Sequence, residues 1–542
     1  MRRTLVTLGC TAALSALITS CSAPAATEAK KSPKKAGFLA VADKSATGRG
    51  PLTVQLDYDS VEAGGLDPQT AETARSWSLG SLVYEPLVTV GPDFAIKPLL
   101  ASSWTQPDAT TYVFTLRKGV TFSNGRALTT ADVVGSLQRL LKSTTPYGRQ
   151  LGPVTSVTAT GPAQVTVKLS SAYTPFLAAL ANTPAAILPM KEVNDGSVDL
   201  KKEMLGTGPF TVKEHKQDQH WVFAPSTSYR EAARLKISEL KVKIVPQETT
   251  RLAALRNGSA DFVFFNNIDT LDQLSGTRNA KAVSQRNSDF YYLIQNEKDK
   301  SSPLAHPKVR FALNSALDRE QIATVAFGGK TQPTGVTPTV LPGACDPAEL
   351  PGAKAGTSSA KQALQAALKE AGFKDLTLRL AVYNSEPANG QIAQVIQQQY
   401  AKAGVTVKIL KYDTSTFVSK VYGAKPDFDL AISWFAGYVD PAMVTRWWNP
   451  EVAGFSATFL NNDVELNKLI DKAGGEPAGS TRNTTLTQLC ERVDTNAAML
   501  PLVTRPAVIG YRTDKVSPTL HSNEGYGNIL RNIVEFTLPS AK

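Results

Sequence analysis

Helices and strands alternate along the second half of the chain. Residues 358–371 and 388–403 carry apolar side chains at helical spacing, and each stretch ends at a glycine. Short apolar stretches at residues 376–382 and 405–410 follow the two predicted helices and have the length of buried strands. A strand, a helix and a second strand in this order form a parallel pair joined by a crossover helix. The pattern therefore predicts an α/β fold here.

The chain is too long for one domain. About 500 residues follow the N-terminal region, whereas single hydrophobic cores stop growing at roughly 250–300 residues, so two or three α/β domains are expected. Strands are predicted at residues 52–56 and 262–265, and Thr129 is predicted to cap a helix. A new domain is predicted to begin at residue 295, before a loop rich in proline. An apolar strand at residues 500–510 is expected to lead back to the first domain.

The N-terminus has the features of an export signal. Two arginines precede a short apolar stretch at residues 5–18, which is shorter than the ~20 residues that a membrane-spanning helix needs. Small residues then lead directly to Cys21. This arrangement resembles the bacterial lipobox, in which the cysteine receives a diacylglycerol and becomes the first residue of the mature protein. The alternative is an ordinary signal peptide with an incidental cysteine. Residues 1–21 are thus the predicted signal, and residues 22–49 a flexible tether.

Net charge and cysteine content limit the expected binding partners and cross-links of the protein. The formal charge is +11, but residues 1–35 hold six Lys or Arg against one Glu, so the remaining chain carries +6. It has no dense basic patch interleaved with aromatic residues, and nucleic acid is not an expected partner. Outside the cell a disulfide between Cys345 and Cys490 is permitted, with two buried thiols as the alternative.

Sequence patterns do not support an enzyme. The G-x-S-x-G pattern of a nucleophile elbow is absent, and none of the four histidines is followed by the glutamate of a zinc-protease helix. Gly329-Lys330-Thr331 matches the end of a phosphate-binding loop, but Thr324 stands where that loop requires a glycine. No catalytic residue, metal or cofactor is expected, although a secreted hydrolase remains an alternative.

The most informative cluster of residues follows the predicted strand at residues 427–433. Trp434 and Phe435 come at its end, and Tyr438 and Asp440 follow shortly after. Aromatic rings beside a carboxylate at the carboxyl end of a strand suit the mouth of a pocket that binds an organic solute. The alternative is that both rings belong to the core.

Several segments, taken in order, resemble the extracellular solute-binding proteins of family 5, which serve oligopeptide, dipeptide and nickel importers. Each segment is weak by itself, but their order and spacing are specific and span nearly the whole mature chain. They are residues 65–68 (GLDP), 84–88 (YEPLV), 97–104 (KPLLASSW), 112–122 (YVFTLRKGVTF), 128–134 (LTTADVV), 206–210 (GTGPF), 309–319 (VRFALNSALDR) and the tryptophan loop at 434–441.

The resemblance implies a two-lobed clamp of the type II periplasmic-binding-protein kind, with an extra small domain on the first lobe. The implied lobe I comprises residues 50–80, 206–294 and 508–542, with residues 81–205 as the extra subdomain, and lobe II comprises residues 295–507. A solute would be enclosed between the lobes and delivered by a monomeric, membrane-anchored receptor to the permease of an ABC importer. A surface receptor that senses a peptide signal without transport is the alternative.

The resemblance also implies the solute contacts. Matching positions place one wall at the segment before Leu66, a tyrosine in the extra subdomain and the opposite wall at the tryptophan loop. The implied residues are Glu62, Ala63, Gly64, Tyr147, Trp434, Phe435, Gly437, Tyr438 and Asp440.

One position departs from the family pattern. Many peptide binders carry an aspartate where this chain has Gly437, and that aspartate pairs with the amino terminus of the peptide. Without it, either Asp440 substitutes or the solute lacks a free amine. The scarcity of histidine argues against nickel or haem as cargo.

Overall fold

The computed structural model describes residues 37–60, 65–71, 73–143, 145–384, 386–435, 438–524 and 528–540. The predicted signal and the first part of the predicted tether lie outside these ranges. So do five predicted site residues: Cys21, Glu62, Ala63, Gly64 and Gly437.

The second part of the predicted tether is folded. Phe38–Ala40 pairs antiparallel with Leu520–His521, and Gly48 forms an isolated bridge with Leu538. The tether prediction was therefore wrong for residues 37–49. The cause is that residues 38–42 (FLAVA) are apolar and that this stretch pairs its backbone with the C-terminal region, a distant partner that the local sequence does not indicate.

The first large sheet has eight strands, and the region around it is called lobe I. In spatial order its strands are Asn523–Glu524, Ala280–Asn287, Ala507–Arg512, Phe262–Phe265, Gly50–Leu56, Ile237–Ile244, His220–Pro225 and Phe210–Lys216. Gly50–Leu56 has a parallel neighbour on each side. All four residues of Phe262–Phe265 are buried, which explains their uninterrupted apolar character and confirms the predicted strand.

The second large sheet has five strands, and the region around it is called lobe II. In spatial order its strands are Thr406–Tyr412, Thr377–Tyr383, Leu430–Phe435, Phe290–Gln295 and Met499–Thr504. Thr377–Tyr383 runs parallel to Thr406–Tyr412, and helix Pro387–Lys402 connects them. This confirms the parallel pair with a crossover helix.

A separate antiparallel sheet lies within the residues predicted as the extra subdomain. Its strands, in spatial order, are Ala101–Asp108, Thr111–Leu116, Gln164–Leu169 and Val154–Gly161, and a small hairpin pairs Val88–Val90 with Ile96–Pro98. Helix Thr130–Leu141 begins at a capping box in which Thr129 and Asp132 exchange hydrogen bonds with each other's backbone amides, as predicted.

Helices cover the sheets and fill the connections. The α-helices are Ala74–Gly80, Thr130–Leu141, Pro146–Gln150, Phe176–Leu180, Met190–Asp195, Glu248–Asn257, Thr270–Gln273, Pro307–Ser315, Arg319–Phe327, Pro351–Ala355, Thr357–Glu370, Pro387–Lys402, Thr414–Tyr422, Pro441–Thr445, Pro450–Ala453, Val464–Gly475 and Ser480–Asn496. Within the described ranges, no helix combines the length and the apolar character needed to cross a membrane.

Two short crossings join lobe I to lobe II. One runs from Asn287 to Phe290 and the other from Thr504 to Ala507. The predicted boundary at residue 295 was therefore late, because strand Phe290–Gln295 pairs on both sides with strands of the second sheet. The prolines that suggested the boundary lie in the loop after this strand.

A disulfide joins Cys345 to Cys490, whose Cα atoms lie 6.4 Å apart. It holds the loop that follows helix Arg319–Phe327 against helix Ser480–Asn496. In the same loop Pro333 bridges to Val503, so the loop covers the outer edge of strand Met499–Thr504. An edge strand covered in this way is protected from pairing with another chain.

Candidate functional site

The carboxyl ends of strands from lobe I and lobe II lie close to one another. In lobe I, Asp57 follows Gly50–Leu56 and Asn266 follows Phe262–Phe265; in lobe II, Glu386 follows Thr377–Tyr383 and Trp434 lies near the end of Leu430–Phe435. Open α/β sheets bind ligands at the carboxyl ends of their parallel strands. Arg505, in the second crossing, contacts three of these four side chains. Asp57, Asn266, Glu386, Trp434 and Arg505 are called the interlobe cluster.

Arg505 connects the two lobes within this cluster. Its Nε and Nη2 donate to the two carboxylate oxygens of Glu386, each at 3.2 Å, and Nη2 also donates to Oδ1 of Asn266 at 3.2 Å. A second carboxylate, Asp289, lies 3.9 Å from Nη1. Burial lowers the pKa of Arg505, but Glu386 and Asp289 outweigh it and raise that pKa. The guanidinium is thus a permanent buried cation at the junction.

On the lobe I side, Asp57 accepts hydrogen bonds from Asn266 and from Arg75. Nδ2 of Asn266 donates to Asp57 at 2.9 Å, and Nε of Arg75 donates to the other oxygen at 2.5 Å. Burial alone raises the pKa of Asp57, but the guanidinium of Arg75 reverses the effect and lowers that pKa to about 2. Asp57 is therefore a carboxylate at any physiological pH, and its charge is already neutralised.

Trp434 is half-buried, and the guanidinium of Arg505 lies 4.2 Å from the centre of one of its rings. The ring also packs against the two hydrophobic clusters on either side of the lobe II sheet. Phe435 ends the same strand, where it pairs with Phe290. Trp434 therefore contacts both the core and the interlobe cluster, and its contact with a solute stays a prediction.

Tyr147 and Tyr438 are both buried, and the short helix Pro146–Gln150, which carries Tyr147, contacts lobe II through Gln150. The ring of Tyr147 packs edge-on against Trp77 at 5.3 Å. Gln150 in the same short helix donates its amide to the hydroxyl of Tyr438 at 2.6 Å, and the ring of Tyr438 stacks on Trp447. Burial raises the pKa of Tyr438.

Asp440 is already engaged within lobe II. Arg482 donates to both of its carboxylate oxygens, at 2.6 and 3.1 Å, and the backbone amide of Ala442 donates to one of them at 2.8 Å. The carboxylate thus caps helix Pro441–Thr445 and balances a buried guanidinium. The hypothesis that Asp440 replaces the missing aspartate at residue 437 is therefore not supported by its contacts.

Polar contacts also close the subdomain onto lobe II. Arg149 donates to the carbonyl of Val452 at 2.9 Å, and Thr174 donates its amide to Gly474 at 2.8 Å and its hydroxyl to the carbonyl of Glu476 at 2.6 Å. The lobes are therefore held together by contacts beside the interlobe cluster as well as within it.

Four residues of the interlobe cluster were missed by reasoning from the sequence: Asp57, Asn266, Glu386 and Arg505. Asp57, Asn266 and Glu386 could each have been found from a place just after a predicted strand. Arg505 lies within the stretch at residues 500–510, which was predicted as a single strand; the structure divides it into Met499–Thr504 and Ala507–Arg512, and only this pairing shows that Arg505 lies in the crossing. Among the described residues, no group of three or more His, Cys, Asp or Glu could hold a metal ion.

Comparison with known proteins identifies a family that this chain matches. Residues 95–455, about two thirds of the chain, match the bacterial extracellular solute-binding proteins, family 5. The chain belongs to this family. Its membership confirms the family that the sequence segments suggested, and it identifies a solute-binding protein rather than a member of an enzyme family. Members of the family act outside the cytoplasm.

Two curated relatives illustrate the range of this solute-binding family. The glutathione-binding protein GsiB of Salmonella choleraesuis (strain SC-B67) is 28% identical over 440 residues, which cover 77% of this chain and 82% of the relative. The nickel-binding periplasmic protein of Escherichia coli (strain K12) is 26% identical over 436 residues, which cover 77% and 81%.

A solved structure shows the same fold. The oligopeptide-binding protein AppA of Bacillus subtilis, in complex with a nonapeptide, superposes with a TM-score of 0.76 at 22% identity, covering 91% of this chain and all of AppA. The family 5 protein described here thus has the two-lobed clamp fold of the periplasmic binding proteins.

Proposed function

We propose that this family 5 protein captures a small organic solute, a peptide or a peptide-like compound, between its lobes and delivers it to the permease of an ABC importer. The observation that carries the proposal is the convergence of strand ends from both lobes on the interlobe cluster. A solute bound there would touch both lobes and so favour their closure.

The proposed solute contacts come from both sides of this cluster. Residues 62–64 follow the segment that begins at Asp57 and would form the lobe I wall, while Trp434, Phe435 and Tyr438 would form the lobe II wall. Three carboxylates at this edge of lobe II already have arginine partners: Glu386 and Asp289 lie beside Arg505, and Asp440 beside Arg482. The proposal therefore favours a solute held by aromatic and backbone contacts over one held by its free ammonium group.

The proposed location is the outer face of the cytoplasmic membrane. Cys21 would carry the lipid, the segment up to residue 36 would act as tether, and the receptor would work as a monomer in a Gram-positive-type envelope. Two or more acyl chains give stable anchoring. A tether also raises the effective concentration of the receptor near its permease.

Native mass spectrometry of protein purified without unfolding tests the capture of a solute. A bound compound of peptide-like mass, displaced on mild denaturation and rebound on refolding, is the expected result. Calorimetry with di- to pentapeptides, each as a free-amine and an N-acetylated version, then tests the solute class. Protein that is recovered empty and binds no compound of either series contradicts the proposal.

A further inference from the structure

A short segment of the subdomain lies against the end of a lobe II helix. The backbone amide of Thr174 donates to the carbonyl of Gly474 at 2.8 Å, and the Thr174 hydroxyl donates to the carbonyl of Glu476 at 2.6 Å. Gly474 lies in the last turn of helix Val464–Gly475. Tyr173, Thr174, Gly474 and Glu476 are called the clasp. Both hydrogen-bond donors of Thr174 are thus used in joining the subdomain to lobe II.

The ring of Tyr173 contacts both the subdomain and lobe II. Tyr173 is 5% exposed. On the subdomain side, a Cβ atom at Gly152 would lie 2.3 Å from the ring, and on the lobe II side one at Gly474 would lie 3.5 Å from it. The guanidinium of Arg446, in lobe II, lies 5.3 Å from the ring centre. Separating the subdomain from lobe II therefore exposes aromatic surface to water.

The lobe II side of the clasp is tied to the tryptophan loop. Nε of Arg482 donates to the carbonyl of Ala473, directly before Gly474, at 2.8 Å. Both Nη atoms of the same guanidinium donate to the carboxylate of Asp440 in that loop. The Arg482 side chain is 5% exposed. One buried cation thus fixes the end of the helix next to the loop.

The subdomain side of the clasp reaches the same loop. Gln150 donates its amide to the hydroxyl of Tyr438 at 2.6 Å, and Gly152, two residues later, packs against Tyr173. Tyr438 belongs to the proposed lobe II wall of the solute site. The clasp therefore lies next to this wall, while its own donors are engaged with the protein.

We infer that Tyr173 and Thr174 are positioning residues that act through the end of the lobe II helix, where they keep lobe II closed on the subdomain without contacting the solute. The inference rests on the proposed function, in which the closed lobes retain the solute. When the closed fraction falls, the apparent affinity for such a solute falls with it. Loss of the clasp therefore weakens solute binding although every group of the proposed walls remains.

The first test compares two threonines that each lose one hydroxyl hydrogen bond. Thr174→Val removes the donor to Glu476 and keeps the shape of the side chain. Thr121→Val is the matched control, because the half-buried Thr121 donates its hydroxyl to a carbonyl of lobe I, that of Ser228, at 2.9 Å. One such bond shifts an equilibrium about threefold to tenfold. The ratio of closed to open protein should fall by this factor in Thr174→Val alone.

A second variant, Gly474→Leu, blocks the clasp and keeps its hydrogen-bonding groups. A Cβ atom at this position already lies 3.5 Å from the Tyr173 ring, so the rest of a leucine side chain must displace the ring. Leucine is also a better helix former than glycine, so the helix itself is not weakened. Gly474→Leu should therefore open the lobes more than Thr174→Val and raise the dissociation constant of the solute at least tenfold.

Two measurements are needed. Hydrogen–deuterium exchange without solute reports how often the clasp opens, because the backbone amide of Thr174 is donated across it. Exchange of the peptide that contains Thr174 should speed up in Thr174→Val and Gly474→Leu but not in Thr121→Val. Exchange of the central strand Leu430–Phe435 should stay at the wild-type rate. Calorimetry then uses di- to pentapeptides, free and N-acetylated, and any solute recovered from the wild-type protein.

Other outcomes overturn the inference. The closing role fails if the Thr174 amide exchanges without protection in the wild type, or if neither clasp variant speeds its exchange. It also fails if exchange rises equally in strand Leu430–Phe435, because the effect would then follow general stability. Faster exchange with wild-type affinity in Gly474→Leu overturns the role in solute binding. A wild-type protein that binds nothing contradicts the proposed function, and the exchange comparison by itself then decides whether the clasp holds the lobes together.

Discussion

Removing the guanidinium of Arg505 should destabilise the protein strongly. Arg505→Met keeps much of the aliphatic stem but leaves Glu386 and Asp289 buried without their cation; the Arg505 and Glu386 side chains are each 8% exposed. Removing one partner of a buried pair costs about 3–5 kcal/mol because the other charge stays uncompensated. The lost contact with the Trp434 ring acts in the same direction.

Urea unfolding of the protein and its variants, followed by far-ultraviolet circular dichroism, measures this cost. Arg379→Met is the matched control, because Arg379 also pairs with two carboxylates, Asp427 and Asp429, but its side chain is 43% exposed. Removing the Arg379 guanidinium should lower the free energy of unfolding by no more than about 1 kcal/mol. The double variant Arg505→Met with Glu386→Gln should regain part of the stability, since it removes one of the two buried carboxylate charges that would otherwise lack a cation. A cost at Arg505 no larger than at Arg379 would refute the reasoning.

Four further outcomes are expected. Replacing both Cys345 and Cys490 by serine should lower the free energy of unfolding by up to about 5 kcal/mol, because the bridge closes a loop of 145 residues; reductant should then affect only the wild type. Since the pKa of Asp57 is lowered to about 2 from 3.8, its contribution of ~2 kcal/mol is present above pH 4 and lost between pH 4 and 2. In Asp57→Asn the free energy of unfolding should therefore fall less between pH 4 and pH 2 than in the wild type, as measured by unfolding at a series of pH values. Trp434→Ala should weaken solute binding about tenfold by calorimetry, and unchanged affinity with lower stability would make it a core residue. Cys21→Ala should release a binding-competent protein into the medium, and surface retention on fractionation would contradict the lipid anchor.

Local features of the fold were predictable. The strand Phe262–Phe265, the capping box at Thr129 and the crossover helix Pro387–Lys402 follow from periodicity and capping within a few neighbouring residues. The lobe boundary and the folded stretch at residues 37–49 were not predictable. Both depend on strand pairing between distant segments, which leaves no periodic trace in either partner.

The residues of the candidate site likewise differ in how far the sequence alone predicts them. Trp434 was singled out from the sequence because it follows a strand end and lies in an ordered motif of the family, and the structure places it in the interlobe cluster. The Arg505–Glu386 and Asn266–Asp57 contacts join residues 119 and 209 positions apart. Side-chain partners at such separations are set by how the strands of each lobe pair and how the two lobes pack. The sequence by itself thus determined the family and many of the helices and strands, whereas only the tertiary structure decided which charges are neutralised inside the protein, because those partners are far apart in the chain.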